Sequence, residues 1–182
     1  MKKQLKVIIP AAGLVLLLAA AFFAHQQLSG RVDVLTAPTI QDEQRQRAPD
    51  FSMVDSGGNT VRLSELTGKP VVLNFWATWC PSCRVQMPDF DRVWNDFGGE
   101  VHFVMLNLTD GVRETMETAN RYIETNGYSF PVYFDLNNEG VRAYGIRSIP
   151  TTVFISSDGY VMQTRIGAIG EDALRGLIEL IH

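Results

Sequence analysis

From residue 48 onward this 182-residue chain predicts an α/β domain, a central mixed sheet with helices on both faces. Two observations lead there. Val71–Trp76 and Val101–Leu108 are short apolar runs of strand length, which read as buried strands. Between and after them lie stretches whose apolar residues recur at helical spacing. The resulting order is ββ-β-α-β-α-β-α-β-β-α.

Each element has its own local reason. Phe51–Val54 and Thr60–Leu63 flank Ser56-Gly57-Gly58-Asn59, a hairpin with glycines at its turn. Ser64–Leu66 is a helical turn ended by Gly68, and the strand over 70–76 follows. A helix over about 81–97 presents Phe90, Val93, Trp94 and Phe97 on one face, with Pro88 bending it from inside. After the strand at 101–108, Asp110 is expected to cap a helix carrying Val112, Met116, Ala119 and Ile123, closed by Gly127. Pro131–Phe134 is a strand and Asn138–Tyr144 a short helix. Thr151–Ile155 and Tyr160–Ile166 form a hairpin around Ser157-Asp158-Gly159, and the last helix buries Leu174, Leu177, Ile178 and Ile181.

The N-terminus is a separate matter. Residues 1–6 carry Lys2, Lys3 and Lys6, and Val7–Ala24 is uncharged and apolar. As a helix, 7–24 would span roughly 27 Å, close to the ~30 Å of a bilayer core. The preceding lysines keep 1–6 in the cytoplasm and put the rest outside. A retained signal-anchor is preferred over a cleaved signal peptide at Ala19-Ala20-Ala21, because the apolar run continues through Phe22-Phe23-Ala24. Residues 25–47 read as a polar tether to the domain at 48–182. The expected location is therefore the bacterial cytoplasmic membrane, single-pass, with the domain on the extracytoplasmic side. Beyond residue 28 the chain has 13 basic and 20 acidic residues, a net charge of −7, which speaks against nucleic acid as a partner.

The chemistry is carried by the chain's two cysteines, three apart in Trp79-Cys80-Pro81-Ser82-Cys83 at a strand-to-helix junction. Cys80 is expected at the helix N-terminus, where free N–H groups and the dipole favour an anionic sulfur. Pro81 fits the first helical turn, and the spacing brings Cys83 within disulfide reach. Cys80 then attacks a partner disulfide and Cys83 resolves the mixed disulfide. A structural zinc would need two more ligands, and His25, His102 and His182 are poorly placed. A purely structural bridge closing so short a loop would restrain the unfolded chain little. Ile149-Pro150-Thr151 precedes the strand at 152–155; a cis bond there, facing the cysteines, would let the flanking backbone of Ile149 and Thr151 pair with an extended substrate. The proline alone leaves cis and trans open.

These residues, together with Ala48-Pro49-Asp50-Phe51, Leu63–Pro70, Val71–Arg84 and Ile149–Thr152, resemble the TlpA/ResA-like branch of the thioredoxin superfamily over about residues 48–182. The resemblance implies a thioredoxin fold with an N-terminal β-hairpin and a helical insertion after the second core strand. It also implies a cis Pro150 packed on the cysteines, with Trp79 flanking the nucleophile and Pro81 and Ser82 between the pair. Activity would be membrane-tethered, usually reducing, thiol-disulfide exchange with client proteins, apocytochrome c among the known kinds. A membrane electron donor of the DsbD/CcdA type would recharge it, and no cofactor is implied.

Two departures stand out. Asn74 occupies the place of the buried Asp of thioredoxin itself. Gln86 stands where this branch often has Glu, so the resolving cysteine loses a candidate base; Glu65, Asp89 or water could replace it. Gln86 reads equally well as a plain polar residue on the helix surface. Arg113-Glu114 through Glu117 is expected to be a solvated helix face.

Other functions share this fold. A disulfide-donating oxidase differs only in potential. A peroxidase would need Pro and Thr where the chain has Leu73 and Ala77, and a copper carrier would space its cysteines wider and add a distal histidine.

Overall fold

The computed structural model describes residues 22–23, 46–66 and 68–181. The chain divides into two units, Met1–Gln44 and Arg45–His182. Of the first only Phe22 and Phe23 are described, both helical. The rest of the expected anchor at 7–24, residues 1–6 and most of the tether lie outside the described residues. Among the described residues no helix is long and apolar enough to cross a membrane.

The second unit is a seven-stranded sheet with helices on both faces. Its strands are β1 (Ser52–Asp55), β2 (Thr60–Arg62), β3 (Val71–Trp76), β4 (His102–Asn107), β5 (Val132–Phe134), β6 (Thr151–Ile155) and β7 (Val161–Ile166). Its helices are α1 (Pro81–Phe97), α2 (Met116–Asn126), α3 (Glu139–Ala143) and α4 (Glu171–Glu179), with a 3₁₀ turn at Leu63–Leu66. The spatial order is β2-β1-β5-β4-β3-β6-β7. β3, β4 and β5 run parallel, and β6 and β7 are added antiparallel beside β3. After β4 come a helix and the strand expected at 131–134, which as β5 enters the sheet and carries the N-terminal hairpin on its outer edge. Pairing begins before Ala48: Arg47 bridges Tyr160, and the Gln46 carbonyl accepts from the Val161 N–H.

β3 is buried along its whole length, as its apolar run requires. Alternate side chains serve opposite layers. Val72 and Trp76 pack with Phe90, Val93 and Leu174 from α1 and α4, whereas Val71, Leu73 and Phe75 pack with Phe51 and Val153 on the other face, near α3. Fully buried aromatics such as Trp76, Phe90 and Phe154 each contribute on the order of 1.5–3 kcal/mol relative to exposure. The ion pairs Arg92–Glu171 and Arg175–Asp96, each 2.6 Å, join α1 to α4 at the rim. Being largely exposed, they add little beside the apolar packing.

The helix after β4 starts later than its apolar pattern suggested. Thr115 is the N-cap, in a reciprocal capping box with Thr118, and Gly127 closes the helix at φ 69°. Val112, placed by its spacing on the buried face, is 91% exposed. Asp110 caps a loop instead: its Oδ1 accepts from the N–H groups of Val112, Arg113 and Glu114. Three short-range donors converging on one carboxylate stop the chain before helix can begin.

Candidate active site

β3 ends at Trp76, and a tight connection through Ala77, Thr78 and Trp79 delivers Cys80 as the N-cap of α1. Cys80 has extended backbone (φ −88°, ψ 110°) and Pro81 opens the helix. The Cys83 N–H points at the Cys80 sulfur, 3.1 Å away. That is where a Ser or Asp side chain caps other helices, so the sulfur sits where backbone donors and the helix dipole favour negative charge. The cysteines are joined as a disulfide, with their Cα atoms 5.2 Å apart. Cys80 is 4% exposed and Cys83 0%, so Cys80 is the more accessible of the two sulfurs. Pro81 and Ser82 are exposed beside them.

Across from Cys80 the Ile149–Pro150 bond is cis, as the resemblance implied. The Ile149 carbonyl oxygen lies 3.6 Å from the Cys80 sulfur. The next carbonyl, of Pro150, is already occupied by the Gly167 N–H at 2.8 Å. Thr151, read from sequence as a substrate contact, is buried in β6 between Phe75 of β3 and Ile166 of β7. Its hydroxyl donates to the Ser148 carbonyl at 2.8 Å, so it shapes the loop from beneath. Ile149, half-buried, is the residue of this segment that faces the cysteine.

Gln86 is not a surface residue. It is 1% exposed, one turn beyond Cys83 on the buried side of α1. Its Oε1 accepts from the Ile169 N–H and its Nε2 donates to Asn74 Oδ1, both at 3.2 Å; Asn74 Nδ2 donates to Thr152 Oγ1 at 2.7 Å. Asn74 shares the face of β3 occupied by Val72 and Trp76, which is why it meets α1. The two departures seen in the sequence are thus one neutral chain of hydrogen bonds, and neutrality suits side chains this deeply buried. Glu65 is exposed and Asp89 pairs with Arg92 at the rim, so neither takes the place of the missing Glu.

The sequence reading missed Glu114. Expected on a solvated helix face, it is 0% exposed. Its carboxyl accepts from the Thr78 N–H (2.9 Å), the Thr78 hydroxyl (2.6 Å) and Asn107 Nδ2 (2.6 Å). It therefore ties the Ala77–Trp79 connection to the end of β4, under the cysteine pair. Arg113, its neighbour, reaches the surface and stacks 4.1 Å over the Trp79 ring. The signal that could have found Glu114 is the Thr115-x-x-Thr118 box, which starts the helix at 116 and leaves 114 in the loop above the strand ends.

Two surface grooves flank Cys80. One, of about 350 Å³, is lined by Trp79, Leu108, Ile146, Arg147, Ser148 and Ile149. The other, of about 360 Å³, is lined by Pro81, Arg84, Val85, Tyr122, Asn126 and Tyr128. A smaller cavity reaches Val71, at the opposite end of β3 from the cysteines. Among the described residues no group of three His, Cys, Asp or Glu could hold a metal ion.

A dithiol couple at a helix N-cap, faced by a cis-proline loop on this sheet, defines a thioredoxin-fold thiol-disulfide oxidoreductase. Known proteins agree. The StoA structure from Bacillus subtilis superposes with a TM-score of 0.63 at 25% identity, covering 71% of this chain and 96% of that one. A thiol:disulfide interchange protein of the thioredoxin family from Chlorobium tepidum gives 0.67 at 28% identity, covering 76% and 97%. The chain belongs to the AhpC/TSA family, whose pattern matches residues 44–164, and within that breadth to the ResA thiol-disulfide oxidoreductases. ResA of Halalkalibacterium halodurans is 33% identical over 75% of this chain and 76% of its own length. ResA of Oceanobacillus iheyensis is 34% identical over 97% and 90%.

Proposed function

We propose that this protein reduces disulfides of client proteins outside the cytoplasm, tethered by its N-terminal segment. The observation that carries the reading is the Cys80 sulfur itself, capped by the Cys83 N–H at 3.1 Å and the more accessible of the two sulfurs. In the dithiol form, the Cys80 thiolate attacks one sulfur of a client disulfide; the client S–S bond breaks and the departing client thiolate takes up a proton. Cys83, giving up its proton, attacks the Cys80 sulfur. The internal disulfide forms, the second client thiolate leaves, and two electrons have passed to the client.

With Gln86 neutral and hydrogen-bonded on both sides, the side chain at that position does not serve as the base for Cys83. Location outside the cytoplasm is supported by Lys2, Lys3 and Lys6 preceding the apolar run at 7–24. A ResA protein from Geobacillus kaustophilus aligns over all of this chain, N-terminal segment included. A membrane electron donor of the DsbD/CcdA type would restore the dithiol, and apocytochrome c is one client class that fits.

Breadth of the AhpC/TSA family makes peroxide reduction the second reading. Against it, Leu73 and Ala77 occupy the places where a peroxidase pattern needs Pro and Thr, and both are fully buried. The deciding experiment is the equilibrium potential of the Cys80–Cys83 couple against glutathione, with trapping by Cys83→Ser. A potential well below the glutathione couple and covalent capture of exported proteins support the reductase. A potential above it makes the protein a disulfide donor, and rapid consumption of hydrogen peroxide by the dithiol makes it a peroxidase.

A further inference from the structure

The described part of the domain is acidic: residues 46–181 hold eleven basic and seventeen acidic side chains, net −6. Around the cysteines the sign reverses. Arg84 lines one groove beside Pro81, Arg147 lines the other beside Trp79 and Ile149, and Arg113 lies over the Trp79 ring. All three are exposed, and none forms an ion pair with a described residue, whereas Arg62, Arg92, Arg121 and Arg175 do. Neither groove is lined by a carboxylate. Of the acids closest to Arg113 in sequence, Asp110 lies near enough to feel the Arg113 charge, though no ion pair joins them. Asp110 directs Oδ1 at three backbone N–H groups, and Glu114 is enclosed on Thr78 and Asn107.

Cations spread over both sides of a reactive sulfur, on an otherwise negative surface, select by charge what approaches that sulfur. Both grooves run from residues adjoining Cys80, so chain on either side of a client cysteine would pass an arginine. We propose that the rim formed by Arg84, Arg113 and Arg147 recognises client segments that carry Asp or Glu next to the cysteine under attack. This rests on the client-disulfide reading above and names the substrate class for it.

The test uses the reduced full chain and two synthetic peptides. Each contains one disulfide in the same sequence, flanked by Asp in one and by Lys in the other. At about 20 mM salt, two exposed ion pairs are expected to favour the Asp peptide about tenfold in kcat/KM, expressed in KM. At about 500 mM salt, screening shrinks the preference to about twofold. The ratio is then measured in R84Q/R113Q/R147Q, where it is expected to fall to near one, and in R84K/R113K/R147K, where it is expected to persist. Equal kcat/KM for the two peptides in the unmodified protein overturns the proposal, as does an undiminished ratio in the triple Gln variant. Reduction of hydroxyethyl disulfide, small and uncharged, is followed alongside. Its absence in the unmodified protein would count against the oxidoreductase reading itself, whereas its presence with equal peptide ratios removes only the arginine rim.

Discussion

Glu114→Ala strips acceptors from three donors at once. The Thr78 N–H, the Thr78 hydroxyl and the Asn107 amide all point at that carboxyl, at 2.9, 2.6 and 2.6 Å. A buried donor left without a partner costs about 1–3 kcal/mol. Thr78 is only half-buried and its hydroxyl can turn to water, so the full threefold sum is not reached. We expect a loss of about 3 kcal/mol, or about 9 °C in Tm at roughly 3 °C per kcal/mol for a domain of this size. Glu114→Gln keeps one oxygen to accept from the Thr78 N–H and Asn107, while its amide donates to the Thr78 oxygen, which reverses role. Its cost is expected below about 1 kcal/mol. Urea denaturation of the oxidised protein gives both values, and Trp79 fluorescence reports whether the loop moves under the Arg113 guanidinium. An Ala variant within about 1 kcal/mol of the parent, or a Gln variant as damaged as the Ala one, would refute the reasoning.

Other perturbations test the remaining parts. Gln86→Glu places an ionisable group where the side chain is 1% exposed; burial raises its pKa above the unfolded value near 4.3, so the cost is small at low pH and grows as pH rises through the folded pKa. The variant's melting temperature should fall further below the parent's at pH 8 than at pH 5, and a deficit that does not grow with pH would contradict this. Asp110 is held below its usual carboxyl value near 3.8, chiefly by the Glu114 N–H, then by the Val112 N–H. Its support of the 110–114 loop is therefore present above the unfolded value and lost as pH falls through the lowered folded one. The Val112 and Glu114 amide shifts should titrate together below about pH 4, a step absent in Asp110→Asn. A Cβ on Gly140 would come within 2.8 Å of Leu106 Cδ2 and 2.9 Å of Phe51 Cε2, so Gly140→Ala is expected to destabilise by about 1–3 kcal/mol despite better helix propensity. A neutral or stabilised melt would show that these two side chains yield freely.

Much of the molecule was legible in the chain alone. The β3 run, the cysteine spacing with Pro81 at the first helical position, the glycine-marked hairpins and the amphipathic last helix are local patterns, since burial of a strand or capping of a helix is decided by residues a few places apart. The placement of the cysteine pair at the helix N-terminus, within bonding reach, followed from the same local logic. What folding decided were the long-range polar choices. Gln86 could have faced water or core, and only the arrival of Asn74 from β3 and the Ile169 N–H from beyond β7 makes the inner position satisfied. Glu114 reads as surface because an acid among charged neighbours usually is. It is buried because Thr78 and Asn107, 36 and seven residues away, bring three donors to one point. The positive rim, too, exists only after three arginines from separate elements meet around one sulfur. A charge's environment is set by whatever the chain brings beside it, and linear order does not record that.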